Sequence, residues 1–270
     1  MSFDLRSVRS ALFLPASNPR AVARAREAGA DLVILDLEDA VKVAEKDFAR
    51  QAVVEALAEP WAVPVAVRLN AAASEWYEAD VEAVCLASPD AVVLPKVEDP
   101  MLVERVAQRI GFPVLAMIET PAGVLAAPAI ARAAGLTGLI AGTNDLAASL
   151  NVPAESRRSS MSVALQTIVL AARAAGVAAI DGVYNRLDDS EGLEHECREG
   201  RRLGFDGKSL IHPGQIEACN RAFSPSDEQI ERAKRLIEAF DGGAQRFEDE
   251  MIEAMHIDEA RRVLDRAARV

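Results

Sequence analysis

The 270-residue chain reads as a single (β/α)8 TIM barrel with a C-terminal helical extension. Two observations predict this. Eight short, β-branched, nearly continuous apolar runs alternate with alanine-rich amphipathic stretches, the pattern of parallel strands buried on both faces and covered by helices. Half of the residues are hydrophobic, over a length near the roughly 250 residues of a one-domain α/β barrel. Eight strands also close such a barrel. A doubly wound open sheet is the structural alternative, but no Gly-x-Gly-x-x-Gly follows the first run, which weakens a dinucleotide-binding reading.

The runs, in order, are SALFLPA from Ser10, LVILDLED from Leu32, VAVRLN from Val65 and AVVLPKVE from Ala91. VLAMIET from Val114, LTGLIAGTND from Leu136, AAIDGVY from Ala178 and GKSLIHP from Gly207 complete them. Helices are expected between them, for example over 19–28, 46–57, 76–86, 101–110 and 161–174. The pattern changes after Phe223, so the barrel domain is placed at 1–223 and a helical arm or lid at 224–270. Ser224 to Glu228 reads as a turn and N-cap with acidic residues in the first turn. A helix over 227–240 stopped by Gly242-Gly243, then a short link and a last helix, are expected. The arm is read either as a cap on its own barrel or as a piece of a neighbouring subunit's site.

Charged residues make up 27% of the chain and the net charge is −12. That composition suits a solvated globular enzyme and argues against a nucleic-acid or anionic-membrane partner. No run reaches the roughly 18 apolar residues of a membrane span, and MSFDLRSVRS lacks the apolar stretch of a signal peptide. Three cysteines without a CxxC pair, Cys85, Cys197 and Cys219, read as buried thiols of a cytoplasmic protein.

Chemistry is expected where barrel strands end. Glu119 closes the fifth run and Asp145 follows the sixth, so both project from the C-terminal face one βα unit apart. Two hard oxygen donors with room for water and substrate suit Mg2+, with Mn2+ able to use the same ligands. Arg68 ends the third run. A buried arginine is costly unless paired, and its planar fork suits bidentate carboxylate recognition. Its expected contacts are a substrate carboxylate, Glu38, or both. Lys96 ends the fourth run and is expected to pair with Glu38 or Glu119. Gly142 permits close backbone approach, and the exposed amides of Thr143 and Asn144 could cradle a carboxylate.

Several motifs then fall in one order: Arg9 to Pro15, Leu35-Asp36-Leu37-Glu38-Asp39-Ala40-Val41, Val67 to Asn70, Leu94-Pro95-Lys96-Val97-Glu98, Ile118-Glu119-Thr120, Gly142-Thr143-Asn144-Asp145-Leu146 and Ile211-His212-Pro213-Gly214. Together they resemble the citrate lyase β-subunit family, with its malyl-CoA and citramalyl-CoA lyases, in the HpcH/HpaI aldolase superfamily. The resemblance implies a Mg2+-dependent enzyme that cleaves or forms a 3-hydroxyacyl thioester, giving an acyl-CoA or acyl-carrier thioester and a 2-oxo acid. It makes Glu119 and Asp145 the metal ligands and Arg68 the clamp on the oxo acid. It sets Glu38 or Asp39 near the metal, holding a water or orienting Arg68. It places Arg9, Arg20 and Arg24 at nucleotide or phosphate contacts and Pro213 at the pantetheine entry. It also implies a homo-oligomer, a trimer or hexamer. The family's tail aspartate, an acid/base delivered from an adjacent subunit, is matched here by Glu253 in Met251-Ile252-Glu253. That longer side chain leaves open altered proton chemistry, including thioester hydrolysis. A CoA-independent class II aldolase and a non-catalytic metabolite-binding subunit are the further alternatives; the histidines, His195, His212 and His256, are all late, which counts against the aldolase.

Overall fold

The computed structural model of the protein describes residues 4–153 and 157–268. Eight parallel strands close into a barrel in sequence order. They are β1 (Ser10–Pro15), β2 (Leu32–Asp36), β3 (Val65–Arg68), β4 (Ala91–Leu94), β5 (Val114–Ile118), β6 (Leu136–Ala141), β7 (Ala178–Asp181) and β8 (Gly207–Leu210). Closure comes from β8 pairing with β1 in parallel, Lys208 opposite Ser10 and Leu210 opposite Leu12. All eight predicted strands are present, and the closed order excludes the open sheet.

The helices of this unit are α1 (Pro19–Ala25), α2 (Lys46–Ala58), α3 (Tyr77–Ala87), α4 (Pro100–Ile110), α5 (Pro121–Ile130), α6 (Thr143–Ser149), α7 (Arg157–Ser160), α8 (Ser162–Ala175), α9 (Ser190–Leu203) and α10 (Ile216–Phe223). Local chemistry sets their ends. Asn18, Asp99, Thr120 and Asp189 accept backbone N–H groups as N-caps, and three of these helices begin with proline. Gly111, Gly176 and Gly204 end α4, α8 and α9 at positive φ. Inward residues such as Ala11, Ile34, Val93, Leu115 and Ile140 fill the barrel interior, with Leu5 and Val8 packed against them.

The chain divides into two units, one ending at Asn220 and one starting at Arg221, so the division falls inside α10 rather than at the turn after Phe223. The second unit contains α11 (Asp227–Ala239), strands β9 (Gln245–Phe247) and β10 (Glu250–Ile252), and α12 (Ala254–Ala268). Ser226 and Gln229 form a reciprocal capping box at the start of α11. Its core is Ala233, Leu236, Ile252, Ile257 and Ala260. The expected short link is instead an antiparallel hairpin, Met251 opposite Arg246. The chain turns at Glu248 with φ 52°, and the acidic, helix-like composition of FEDEMI hides that turn. Among the described residues no helix is long and apolar enough to cross a membrane. Cys197 and Cys219 are buried free thiols, but Cys85 is exposed on α3, contrary to the buried reading, because it lies off that helix's packed face.

Candidate active site

The C-terminal ends of the strands surround a cavity of about 330 Å3. Its floor is set by a buried ion pair between neighbouring strands. Arg68 ends β3 and donates from Nε and Nη2 to the two carboxylate oxygens of Asp36, both at 2.6 Å. Asp36 ends β2 directly opposite Arg68 in register. The Arg68 guanidinium also lies 5.1 Å from the centre of the Phe13 ring. Its remaining nitrogen, Nη1, is 3.2 Å from Glu38 Oε2 and 3.7 Å from Met117 Sδ. Burial works against the charge on Arg68, and Asp36 overcomes it and keeps the guanidinium charged.

Asp36 also accepts the backbone N–H groups of Glu38 (2.9 Å) and Ala40 (3.0 Å). From the other side, buried Lys46 donates to the carbonyls of Leu37 (2.6 Å) and Glu38 (2.7 Å) and to Asn70 Oδ1. The turn carrying Glu38 and Asp39 is thus pinned on both sides. Glu38 is 6% exposed. Its Oε1 accepts from Lys96 Nζ at 2.9 Å, while Oε2 is buried without a hydrogen bond despite its proximity to Arg68. Burial pushes the Glu38 carboxyl above its usual range, opposed by Arg68 and Lys96.

Lys96 organises the two carboxylates expected to hold metal. Its φ is +51°, a left-handed conformation that costs a non-glycine residue about 1–2 kcal/mol. Its N–H donates to Glu119 Oε1 at 2.7 Å, and its ammonium lies 3.5 Å from Asp145 Oδ2. Glu119 is 3% exposed just beyond β5, and burial pushes its carboxyl up to about 7; the Lys96 N–H opposes this, and Glu38 and Asp145 add repulsion. Asp145 lies in the first turn of α6. Gly142 is required between them, because a Cβ there would overlap Glu119 Cβ and lie 2.5 Å from Oε2. Gly182 likewise leaves no room for a Cβ beside Thr143.

These residues fit a divalent cation. Two carboxylates face one cavity, one buried and short of positive charge, and both offer hard oxygen donors. Among the described residues no group of three or more protein ligands forms, so the other positions would fall to substrate and water.

Of the residues read from the sequence, Arg68, Glu119, Gly142, Thr143, Asn144 and Asp145 line the cavity. Glu38 is not among the lining residues, and its Oε2 lies against Arg68 Nη1. Arg9 is misplaced by the phosphate reading: it precedes β1, at the opposite barrel end, where its Nε and Nη2 each lie 2.8 Å from Asp31. Arg20 and Arg24 are exposed on α1 and do not line the cavity. Pro213 is exposed in the turn after β8, and Ile211 lines the cavity in its stead. Glu253 belongs to the second unit, exposed between β10 and α12, where its N–H donates to His256 Nδ1 at 2.9 Å. Asp36 was missed. The signal was available: a carboxylate at the end of one apolar run, with an arginine at the end of the next.

A closed parallel barrel with carboxylates and a clamped arginine at the C-terminal ends of its strands has its polar groups where barrel enzymes do their chemistry. The family model for HpcH/HpaI aldolase/citrate lyase matches residues 9–213, and the chain belongs to that family. It is 42% identical to a (3S)-malyl-CoA thioesterase of Cereibacter sphaeroides, across 99% of this chain and 97% of that protein. It is 35% identical to citrate lyase subunit beta of Escherichia coli, across 97% and 94% of the two chains. Among solved structures it resembles CitE from Mycobacterium tuberculosis in complex with magnesium, acetoacetate and coenzyme A, with a TM-score of 0.86 and 35% identity over 98% of this chain and 100% of that one. Other mycobacterial structures of this kind hold magnesium with oxaloacetate or with pyruvate.

Proposed function

We propose that this chain is a Mg2+-dependent lyase that cleaves, or forms, a 3-hydroxyacyl thioester of the malyl, citramalyl or citryl type. The observation that carries this is the convergence of Glu119, Asp145 and the Asp36-clamped Arg68 on one cavity. In cleavage the substrate hydroxyl loses its proton and the bond between the carbinol carbon and the thioester α-carbon breaks. The carbinol carbon becomes the carbonyl of a 2-oxo acid, and the α-carbon leaves as a thioester enolate that takes up a proton. Glu119 and Asp145 would hold the cation, which as a Lewis acid offsets negative charge developing on the substrate oxygens.

The other tasks fall to the chain. Arg68 Nη1, the edge that Asp36 does not occupy, is placed to bind a carboxylate or its neighbouring oxygen. Asp36 and Phe13 hold that edge in one orientation, so little ordering is needed when substrate arrives. Lys96 offsets the crowding of Glu38, Glu119 and Asp145. Gly142 and Thr143 bring backbone against the substrate without a side chain intervening. Glu253 is assigned the α-proton transfer, delivered from a neighbouring copy in a homo-oligomer. Glu253→Gln should then suppress deuterium exchange at the thioester α-carbon; normal exchange would return the tail to a structural role.

A second reading, thioester hydrolysis, is favoured by the 42% identity to the malyl-CoA thioesterase. It uses the same substrate clamp but adds water across the C–S bond. Mass-spectrometric turnover of malyl-, citramalyl- and citryl-CoA with Mg2+, against an EDTA control, separates the two. Acyl-CoA plus a 2-oxo acid is expected for the lyase; free CoA plus the hydroxy acid would establish hydrolysis instead. No metal-dependent product from any thioester would sink both.

A further inference from the structure

We infer that the cavity selects substrates whose oxo-acid half carries a single carboxylate, so that malyl- and citramalyl-type thioesters are accepted and citryl-type thioesters are rejected. This deepens the proposed function and rests on it. Family membership leaves the choice open, since solved relatives hold both pyruvate and oxaloacetate. The residues of this chain make the choice by charge.

Among the described residues lining the cavity, Arg68 is the only cation, facing Asp36, Asp39, Glu119 and Asp145. Two of its three nitrogens are spent on Asp36 at 2.6 Å each, and the third, Nη1, lies 3.2 Å from Glu38 Oε2, which leaves substrate only the Nη1 hydrogen turned away from Glu38. Even with a divalent cation bound, the lining carboxylates outnumber the positive charges. Lys96 does not supply the missing cation, because its ammonium is committed to Glu38 at 2.9 Å and lies 3.5 Å from Asp145. Nor do the neutral donors. The Ser209 hydroxyl donates to the Asp181 carbonyl at 2.8 Å, and the Asn144 and Asn185 side-chain amides bond reciprocally at 2.7 and 3.2 Å. The rest of the wall includes Phe13, Val183 and Ile211, hydrocarbon against which a hydrogen or a methyl group packs without penalty.

The first carboxylate of any substrate in this class takes the cation, the Arg68 Nη1 hydrogen turned away from Glu38, and the Thr143 and Asn144 backbone N–H groups at the start of α6. A second one, as in the carboxymethyl arm of a citryl group, meets either hydrocarbon or another carboxylate. Unpaired or like-charge burial of this kind costs several kcal/mol, so kcat/KM for citryl-CoA is expected to fall at least about 100-fold below that for malyl- or citramalyl-CoA.

The test has two arms on the full-length protein. Turnover is measured with the three thioesters, and calorimetry measures binding of pyruvate and of oxaloacetate in the presence of Mg2+. Ile211→Lys, at a position 41% exposed on the wall, adds a second cation and should narrow the discrimination at least about tenfold by creating a new charge pair. Equal kcat/KM for citryl- and malyl-CoA, or oxaloacetate bound as tightly as pyruvate, overturns the inference. A pyruvate preference narrowed by Ile211→Lys, with no thioester turned over, upholds the charge selection and refutes the thioester reading instead. Failure of both acids to bind in the presence of Mg2+ overturns both.

Discussion

Asp36 does more at this site than its buried position announces. Its two oxygens accept four hydrogen bonds, two from Arg68 and two from the turn that carries Glu38 and Asp39. Asp36→Asn would leave a buried guanidinium with a poor partner. We expect it to cost about 3–5 kcal/mol of stability, because one member of a buried pair is removed, and to lower kcat/KM by about 100-fold or more, because Arg68 loses its orientation. Urea denaturation and steady-state kinetics check the two effects separately; full activity would remove Asp36 from substrate positioning. Asp145 predicts the opposite split. Its side chain is 40% exposed, so Asp145→Asn should change stability by no more than about 0.5 kcal/mol while abolishing Mg2+ binding in calorimetry. Gly142→Ala drives a methyl group into Glu119 and should weaken Mg2+ binding without removing any charge.

At the scale of elements, β7, β8, α7 and α9 are joined by a charge cluster outside the barrel. Lys208 and Asp181 are both fully buried, 3.2 Å apart, and Lys208 also bonds Glu196 on α9 at 2.6 Å. Arg158 on α7 reaches both Asp181 oxygens at 3.0 Å and Glu199 at 2.8 Å. Burial disfavours both charges of the central pair. Lys208 and Arg158 nevertheless hold Asp181 below its usual range, and Asp181 and Glu196 hold Lys208 above its own. A depressed carboxyl stabilises the fold above its unfolded pKa of about 3.9, and that stability is lost as pH falls through the folded value. A raised lysine stabilises below its unfolded pKa of about 10.4, and that stability is lost as pH rises through the folded value. The contribution of this pair should therefore be flat near neutrality and fall on both flanks. Asp181→Asn should lose about 3–5 kcal/mol at pH 7 and flatten the acid flank. Denaturant titrations from pH 3 to 8 read this directly, and an unchanged acid flank would remove Asp181 as its source.

At the scale of the whole molecule, the barrel gathers residues more than a hundred positions apart onto one face. A cation bound there stabilises the folded state alone. At about 100-fold excess over its Kd, Mg2+ should add roughly 2.7 kcal/mol, raising the thermal midpoint relative to EDTA. The Asp145→Asn protein should not respond, and an equal response would place the ion elsewhere.

Much of this was readable in one dimension. Eight apolar runs fix eight strands, because a strand buried on both faces has no freedom to be polar. Glu119, Asp145 and Arg68 were readable because parallel strands bring their ends to one face, so a polar residue ending an apolar run points at the site. The pairing of Arg68 with Asp36 was not, because β2 and β3 become neighbours only through their register, and one position of slip would turn Asp36 away from the cavity. The left-handed backbone of Lys96, which aims its N–H at Glu119, was equally hidden, since nothing in a lysine announces a positive φ. The misplacement of Arg9 and the hairpin before α12 have the same origin. Composition and periodicity determine which residues are buried and in which type of element, whereas the partner a buried charge finds depends on distances that exist only once the barrel has closed.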